Sequence, residues 1–380
     1  MKQFSSINYS ENKWIILSLF IIFVLLCPIF SIIISSLDFN FSIWKHLIST
    51  KLGLYILNTL ILLFGVGIVS LFFGISTAWI IARYNFPFSK IFEWALILPL
   101  AIPAYIVAYC YTDFLDYSGF VQTAIREIFE FKSSNEYFFP EIRSMGGAIF
   151  VMSFVLYPYI YLISKLSFLS TPISLYELAT IHGKSKFFQV ALPMSRPAIV
   201  AGLSLVLMET ISDFGTVEFF AVETLTLGIF NLWLGMNNLA AASQVALVSF
   251  TFIIMLLSVE LIARKRQRFH DTEIKNLKSF KLSLNYLQSI PAILFCLIPV
   301  SFGFLLPVII LIQQGASESN NSDLFVLIEI GANTLFIAGV SALIIVIIST
   351  ILALTVKYKG NKTLPLLATL AGSGYAFPGV

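Results

Sequence analysis

The chain has 380 residues, of which 58% are hydrophobic and 11% charged, with 37 phenylalanines and a formal net charge of +3. A soluble domain carries roughly 25% charged residues, so the composition excludes an ordinary soluble globular protein and points to one built for lipid. One basic cluster, Arg264-Lys265-Arg266-Gln267-Arg268, has no basic domain or aromatic platform beside it. It reads as a topology anchor near anionic lipid and gives no support to nucleic-acid binding.

About 20 mainly apolar residues cross a bilayer as a helix. Nine segments reach or approach that length: 14–35, 54–82, 91–111, 146–165, 197–222, 243–263, 289–312, 332–356 and 364–380. The alternating ten-residue pattern of a membrane barrel is absent, so all nine are predicted as helices that satisfy their own backbone in lipid. The first run has no small-residue cleavage site after it and is expected to remain as an anchor. Cys27, Cys110 and Cys296 lie inside apolar runs at no metal-binding spacing and read as small buried hydrophobes.

With the N-terminus placed in the cytoplasm, every Lys and Arg except Lys45, Lys51, Arg126, Lys132 and Arg143 falls on the inner side. The 112–145 loop is then external and acidic. The 165–197 loop is cytoplasmic.

That cytoplasmic loop is unusually long for a connector. Ser174 and Glu177 have capping-box spacing and predict a helix over 175–182, with Gly183 supplying the positive φ that stops it. Leu175, Leu178, Ala179 and Ile181 give the helix an apolar side. Phe187-Phe188 resumes the chain before Leu192-Pro193, and Pro197 suits the first turn of the next span. The residues alone leave two readings open, a simple connecting hairpin or a docking site for a partner protein. The loop's length, its capped helix and an exposed Phe pair favour docking.

Glu209, Asp213 and Glu218 lie in or near the fifth span. A carboxylate there is costly unless it faces a cavity or a partner. They read either as lining for a translocation path or as helix-end groups satisfied by backbone N–H. Carboxylates suit iron(III) but also many other cations, so no metal site is assigned.

The chain also repeats itself. Asn58-Thr59-Leu60 returns as Asn333-Thr334-Leu335, and Ala101-Ile102-Pro103 as Ala376-Phe377-Pro378, both 275 residues later. Between them Ala78 matches Ala353 and, after a one-residue gap, Arg83-Tyr84 matches Lys357-Tyr358. Internal repeats are a building principle of transporters. The expectation is a first six-span half over 1–275 and the start of a second over 276–380, the chain being a fragment of a longer twelve-span protein.

Enzyme motifs fail. Gly183-Lys184-Ser185 resembles the end of a phosphate-binding loop, but position 178 is Leu where that motif needs Gly. His46, His182 and His270 are scattered, which gives neither a zinc site nor a histidine-based triad. No catalytic residue, metal or cofactor is expected.

The pattern Glu177-x-Ala179-x3-Gly183, followed by Leu192-Pro193-x2-Arg196-Pro197-Ala198-Ile199, resembles the EAA loop of binding-protein-dependent ABC importer permeases. It departs from that loop in having Leu178 rather than Ala and a Gly183–Pro193 gap shorter by nearly one helical turn. Asp213-Phe214-Gly215-Thr216-Val217-Glu218, Thr224-Leu225-Thr226-x-Gly228-Ile229-Phe230, Trp233-x-Gly235 and Gly374-Tyr375-Ala376-Phe377-Pro378-Gly379 resemble the fused two-half ferric-iron permeases of that superfamily. The resemblance implies an all-α polytopic helical bundle of the type I ABC importer permease fold in the bacterial inner membrane. It implies coupling to cytoplasmic ATP-binding cassette subunits through Glu177, Ala179, Gly183, Leu192 and Pro193. A periplasmic substrate-binding protein would deliver iron(III), with thiamine or another small solute as the alternative. An ion-coupled secondary transporter is a further rival, but it has no use for such a loop.

Overall fold

A computed structural model describes residues 8–38, 41–265, 281–318, 323–359, 363–372 and 374. In chain order these form α1 (Asn8–Ser35), α2 (Phe41–Thr50), α3 (Leu52–Arg83), a two-residue strand β1 (Tyr84–Asn85), α4 (Ser89–Ala95), α5 (Ala104–Leu115) and α6 (Phe120–Phe129). There follow α7 (Met145–Ser170), α8 (Ile173–Ile181), α9 (Leu192–Met194), α10 (Arg196–Ser212), α11 (Gly215–Phe219), α12 (Leu225–Phe230) and α13 (Leu239–Lys265). The last elements are β2 (Leu282–Ser283), α14 (Tyr286–Val300), α15 (Leu306–Glu318), α16 (Asp323–Lys359) and α17 (Thr363–Gly372).

The described residues form two compact units, one from 8–38 with residues after 312 and one from 41–312. In the first, α1 packs on α16 and α17 around Ile22, Leu364 and Ala371. The second is built on α3, α7 and α10. Ile160 of α7 sits between two glycines. A Cβ at Gly74 of α3 would lie 2.7 Å from the Ile160 Cβ, and one at Gly202 of α10 would lie 2.9 Å from its Cα. Membrane helices lack a hydrophobic drive toward one another, so small residues that let backbones approach supply the contact. Val66, Val151, Val155 and Val206 fill the same core.

Six helices among the described residues are long and apolar enough to cross a membrane, and up to eight if each of two bent pairs is one span. The predicted 91–111 span is not one helix. Ser89–Ala101 and Ala104–Phe129 meet at 89°, because Pro103 removes a backbone donor and pushes Ile102 before it into extended conformation, while Pro99 sits in the first turn of a short 3-10 helix, Leu98–Ala101. The predicted 197–222 span ends early, at Ser212, where Asp213 turns extended. Its start is bent too, since Phe187–Met194 meets Arg196–Ser212 at 62°. Of the predicted 364–380 span the described part is the ten-residue α17, and the Ala376–Pro378 landmark lies outside the described residues. Arg266, Gln267, Arg268 and His270 lie outside them as well. Cys110 and Cys296 are buried as expected, whereas Cys27 is exposed on α1.

Local contacts fix the second unit further. β1 pairs in parallel with β2, Tyr84 opposite Leu282 and Asn85 opposite Ser283. The Tyr157 hydroxyl donates to the Leu96 carbonyl at 2.9 Å and the Tyr161 hydroxyl to the Glu93 carbonyl at 3.0 Å. Lys165 Nζ meets Glu93 Oε1 at 2.6 Å. Together they tie the α4 segment to α7.

Candidate functional site

The predicted helix exists, but its start differs from the capping-box expectation. It begins at Ile173 after Pro172, with no side-chain cap. Proline fixes φ and so suits a helix entry without a hydroxyl cap. Glu177 therefore falls at the fifth helical position rather than the third.

The stop follows the sequence reading. Gly183 has φ +65. Its N–H donates to Thr180 O at 3.0 Å, and the Lys184 N–H reaches back to Ala179 O at 2.8 Å. These two bonds are the paired closure of a Schellman motif, which glycine enters without a Cβ penalty.

One side of α8 is fixed and the other is open. Tyr176 and Ala179 are buried. Arg83, the last residue of α3, is itself buried and stacks its guanidinium 3.7 Å from the Tyr176 ring centre and 5.6 Å from that of Trp79. Trp79 also touches Phe168 of α7 at 5.6 Å and Phe187 at 5.2 Å. Phe187 is thus drawn into this aromatic cluster, and of the expected exposed pair only Phe188 stands out. Glu177, Leu178, Ile181 and Gly183 are exposed. Leu192 and Pro193, on α9, are half-buried beyond a π-helical turn at Phe187–Ala191. The Ser195 hydroxyl beside them accepts from that of Ser167 on α7 at 2.9 Å.

A second feature is a cavity of about 270 Å³ among α5, α7 and α10, whose lining includes Glu209, Asp213, Tyr105, Tyr159, Pro103 and Met152. The structure brings Glu209 and Asp213 together there. Glu218 is exposed on α11, and the cavity lining does not include it. Asp213 accepts the Thr216 N–H at 2.8 Å and the Thr216 hydroxyl at 3.0 Å. It therefore anchors the entry to α11, and it also lines the cavity. Among the described residues no cluster of three or more His, Cys, Asp or Glu is placed to hold a metal ion.

Residues 70–268 match the model of the family described as the binding-protein-dependent transport system inner membrane component. The chain belongs to that family.

This permease is 25% identical over 324 residues to an Fe(3+)-transport system permease protein, FbpB 2, of Haemophilus influenzae. That match covers 81% of this chain and 58% of the relative, so the chain spans little more than half of the iron permease's length. It is 26% identical over 217 residues to a probable sulfate transport permease of Chlorokybus atmophyticus, across 55% of this chain and 71% of that one. It is 26% identical over 212 residues to the molybdenum transport permease ModB of H. influenzae, across 52% and 88%. In fold it is similar to a chain of a bacterial alginate ABC transporter solved in complex with an alginate-bound periplasmic protein. The TM-score there is 0.53 at 18% identity, over 70% of this chain and 98% of that one. The permease is an all-α, multi-pass membrane protein of the ABC importer class, a transporter rather than a catalyst.

Sequence reasoning missed the permease's Arg83–Tyr176–Trp79 cluster and the cavity tyrosines. Arg83 offered one signal, a lone cation closing an apolar segment, and charge counting absorbed it as topology. Nothing in the sequence linked it to Tyr176, 93 residues away.

Proposed function

We propose that this permease is the membrane subunit of an ATP-driven importer of iron(III). The observation that carries the reading is α8. It is a short helix held on one side through Tyr176 against Arg83, closed by Gly183, and exposing Glu177, Leu178 and Ile181 on the other, with Phe188 exposed beyond its stop. An amphipathic edge of this kind suits insertion into a groove of a partner. The partner in this reading is a pair of cytoplasmic ATP-binding cassette subunits, and ATP-driven closure of that pair pushes α8. Glu177 is a polar contact, Gly183 the turn, and Ala179, Leu192 and Pro193 the packed base. A periplasmic binding protein delivers the substrate on the opposite side. The inner-side concentration of Lys and Arg puts the N-terminus in the cytoplasm.

The choice of iron(III) over the oxyanions named for other relatives rests on charge. Glu209 and Asp213 line the cavity, and among the described residues no Lys, Arg or His does. Hard oxygen ligands suit a hard cation and repel sulfate or molybdate. In this reading residues 1–275 are one six-span half and 276–380 begin a second, so a complete machine carries two α8-type helices.

The test is co-purification of the full chain from its own cells with an ATP-binding cassette subunit, then reconstitution of that complex with an iron(III)-loaded periplasmic binding protein from the same cells. ATP-dependent iron uptake supports the reading. Uptake of molybdate or sulfate instead would overturn the iron assignment and leave the permease assignment standing. Failure of any ATP-binding subunit to associate would remove the coupling role of α8.

A further inference from the structure

The helix α6 is amphipathic, and it is turned the unexpected way round. Phe120, Val121, Ala124, Ile125, Ile128 and Phe129 form one stripe at helical spacing, and Gln122, Thr123, Arg126 and Glu127 the other. A helix on a soluble surface turns its apolar stripe inward. Here most of the polar stripe is tied down. The Gln122 Nε2 donates to Leu115 O at 2.8 Å, and its Oε1 accepts from the Tyr137 hydroxyl at 2.7 Å. Arg126 donates to that hydroxyl at 3.1 Å and to the Thr123 hydroxyl at 3.0 Å, with its guanidinium 4.1 Å from the Tyr117 ring centre. No residue of α6 is buried. Phe120 is 72% exposed, Ile128 74% and Phe129 64%.

We propose that α6 lies in the membrane interface, with Phe120, Ile128 and Phe129 inserted among the lipids at the end of the span that precedes it. The tether decides for lipid over a soluble partner. Only Asp116–Gly119 separate α5 from α6, a reach of about 14 Å even when fully extended. That reach is not used, because Gly119 packs so tightly that a Cβ there would lie 2.5 Å from Asp113 O and 2.7 Å from Phe114 O. The helix is held against the end of α5 and cannot stand off the bilayer. Phe114 of α5 stacks on Phe120 at 5.8 Å, which carries an apolar surface from one helix onto the other. The withdrawn Arg126 leaves no cation on the outward stripe. Interfacial helices bury such a stripe a few ångströms below the headgroups. The 112–145 segment, which the charge count makes a solvated loop, then contains a membrane anchor.

The test uses the full chain in phosphatidylcholine vesicles, in a Cys27→Ser background, with spin labels at Phe120→Cys, Ile128→Cys and Glu127→Cys. We expect the ratio of oxygen to nickel-chelate accessibility to be several-fold higher at positions 120 and 128 than at 127. Equal, nickel-accessible signals at all three would place the stripe in water and overturn the proposal. Labels at 120 and 128 shielded from both reagents would put protein on the stripe, whether a second copy or a binding protein, and would overturn it too. If cysteine at 120 prevents folding, Phe129→Cys replaces it with the same expectations. None of these outcomes depends on the transported substrate or on ATP.

Discussion

The guanidinium of Arg83 lies 3.7 Å from the centre of the Tyr176 ring. One residue ends a membrane span, and the other is the buried anchor of α8, 93 positions later. Carbonyls at the end of α3 favour a cation there. A desolvated cation–π contact contributes roughly 2 kcal/mol, and the Trp79, Phe168 and Phe187 rings around it add apolar contact. In the proposed function, a push on α8 would reach α3 through this buried contact. Arg83→Ala is expected to leave the membrane bundle folded while amides over 174–184 lose hydrogen-exchange protection. Arg83→Lys is expected to restore only part of it, because the ammonium lacks the planar stacking face. Unchanged protection in Arg83→Ala would show that the joint is held elsewhere.

Tyr176 separates ring from hydroxyl. Its hydroxyl oxygen is buried and, among the described residues, makes no hydrogen bond of ordinary geometry, with only the Thr171 side chain acting on it as a weak partner, so Tyr176→Phe is expected to change stability by no more than about 1 kcal/mol. Tyr176→Ala removes the ring and is expected to cost about 3–5 kcal/mol. Thermal unfolding in detergent, compared across the two variants, checks the order.

Gly183 combines a left-handed φ with open space, since a Cβ there meets nothing within 4 Å. In the chain alone, Gly183→Ala should cost about 1–2 kcal/mol of local strain, and Gly183→Asn less. Gly183→Leu should add little to the alanine strain yet abolish uptake at normal abundance, because the extra bulk meets a docked partner. Equal uptake in the alanine and leucine variants would remove that contact.

The Ile160 crossing predicts a packing defect with a graded cause. Gly74→Ala and Gly202→Ala are each expected to lower stability by about 1–3 kcal/mol through overpacking. Gly74→Ala should be the worse of the two, because its new methyl lies 2.7 Å from the Ile160 Cβ and 3.1 Å from Tyr157 O, closer than the 2.9 Å to the Ile160 Cα and 3.3 Å to Tyr159 O met at Gly202. Melting temperatures of the two variants in detergent decide it.

The N-terminal end of α3 holds the α11–α12 connection by bonds of unequal worth. Thr59 Oγ1 accepts the buried Leu225 N–H at 3.0 Å, and Asn58 Nδ2 donates to Glu223 O at 2.9 Å. Lys51 meets Glu223 at 2.7 Å in the open. Thr59→Val is expected to cost about 1–3 kcal/mol, and Lys51→Met almost nothing. The hydrogen bond to Glu223 raises the Lys51 pKa. Any contribution of the pair is thus fully present below the ordinary lysine pKa and lost only as pH rises through the raised value. Unfolding midpoints followed from neutral pH to pH about 11 check both statements.

Asp213→Asn keeps an acceptor for Thr216 but removes a negative charge from the cavity, and Glu209→Gln removes the other. Each is expected to slow iron uptake several-fold with little change in abundance. Unchanged rate and substrate choice in both would end the pathway reading.

Composition, apolar run length and Pro/Gly punctuation determined a good deal by themselves. They gave a helical membrane protein, most of its span positions, the α8 stop at Gly183, Pro197 in the first turn of α10 and the family resemblance. Each of these depends on solvent or on neighbours within a few residues, which the sequence displays directly. Where the sequence reading failed, either one local signal had overridden another or longer-range packing had decided. Pro172 entered α8 in place of a Ser174 cap and the third span broke at Pro103, both local proline effects, whereas Phe187 turned inward onto Trp79 through packing. The tertiary structure alone decided that Arg83 caps Tyr176, that Glu209 and Asp213 share a cavity without Glu218, and that α6 turns its phenylalanines outward. Those facts depend on which helices meet and through which faces. With lipid as apolar as the core, hydropathy cannot tell a face turned to lipid from one turned to protein; only the close approach of backbones, as at Gly74, Ile160 and Gly202, makes that choice.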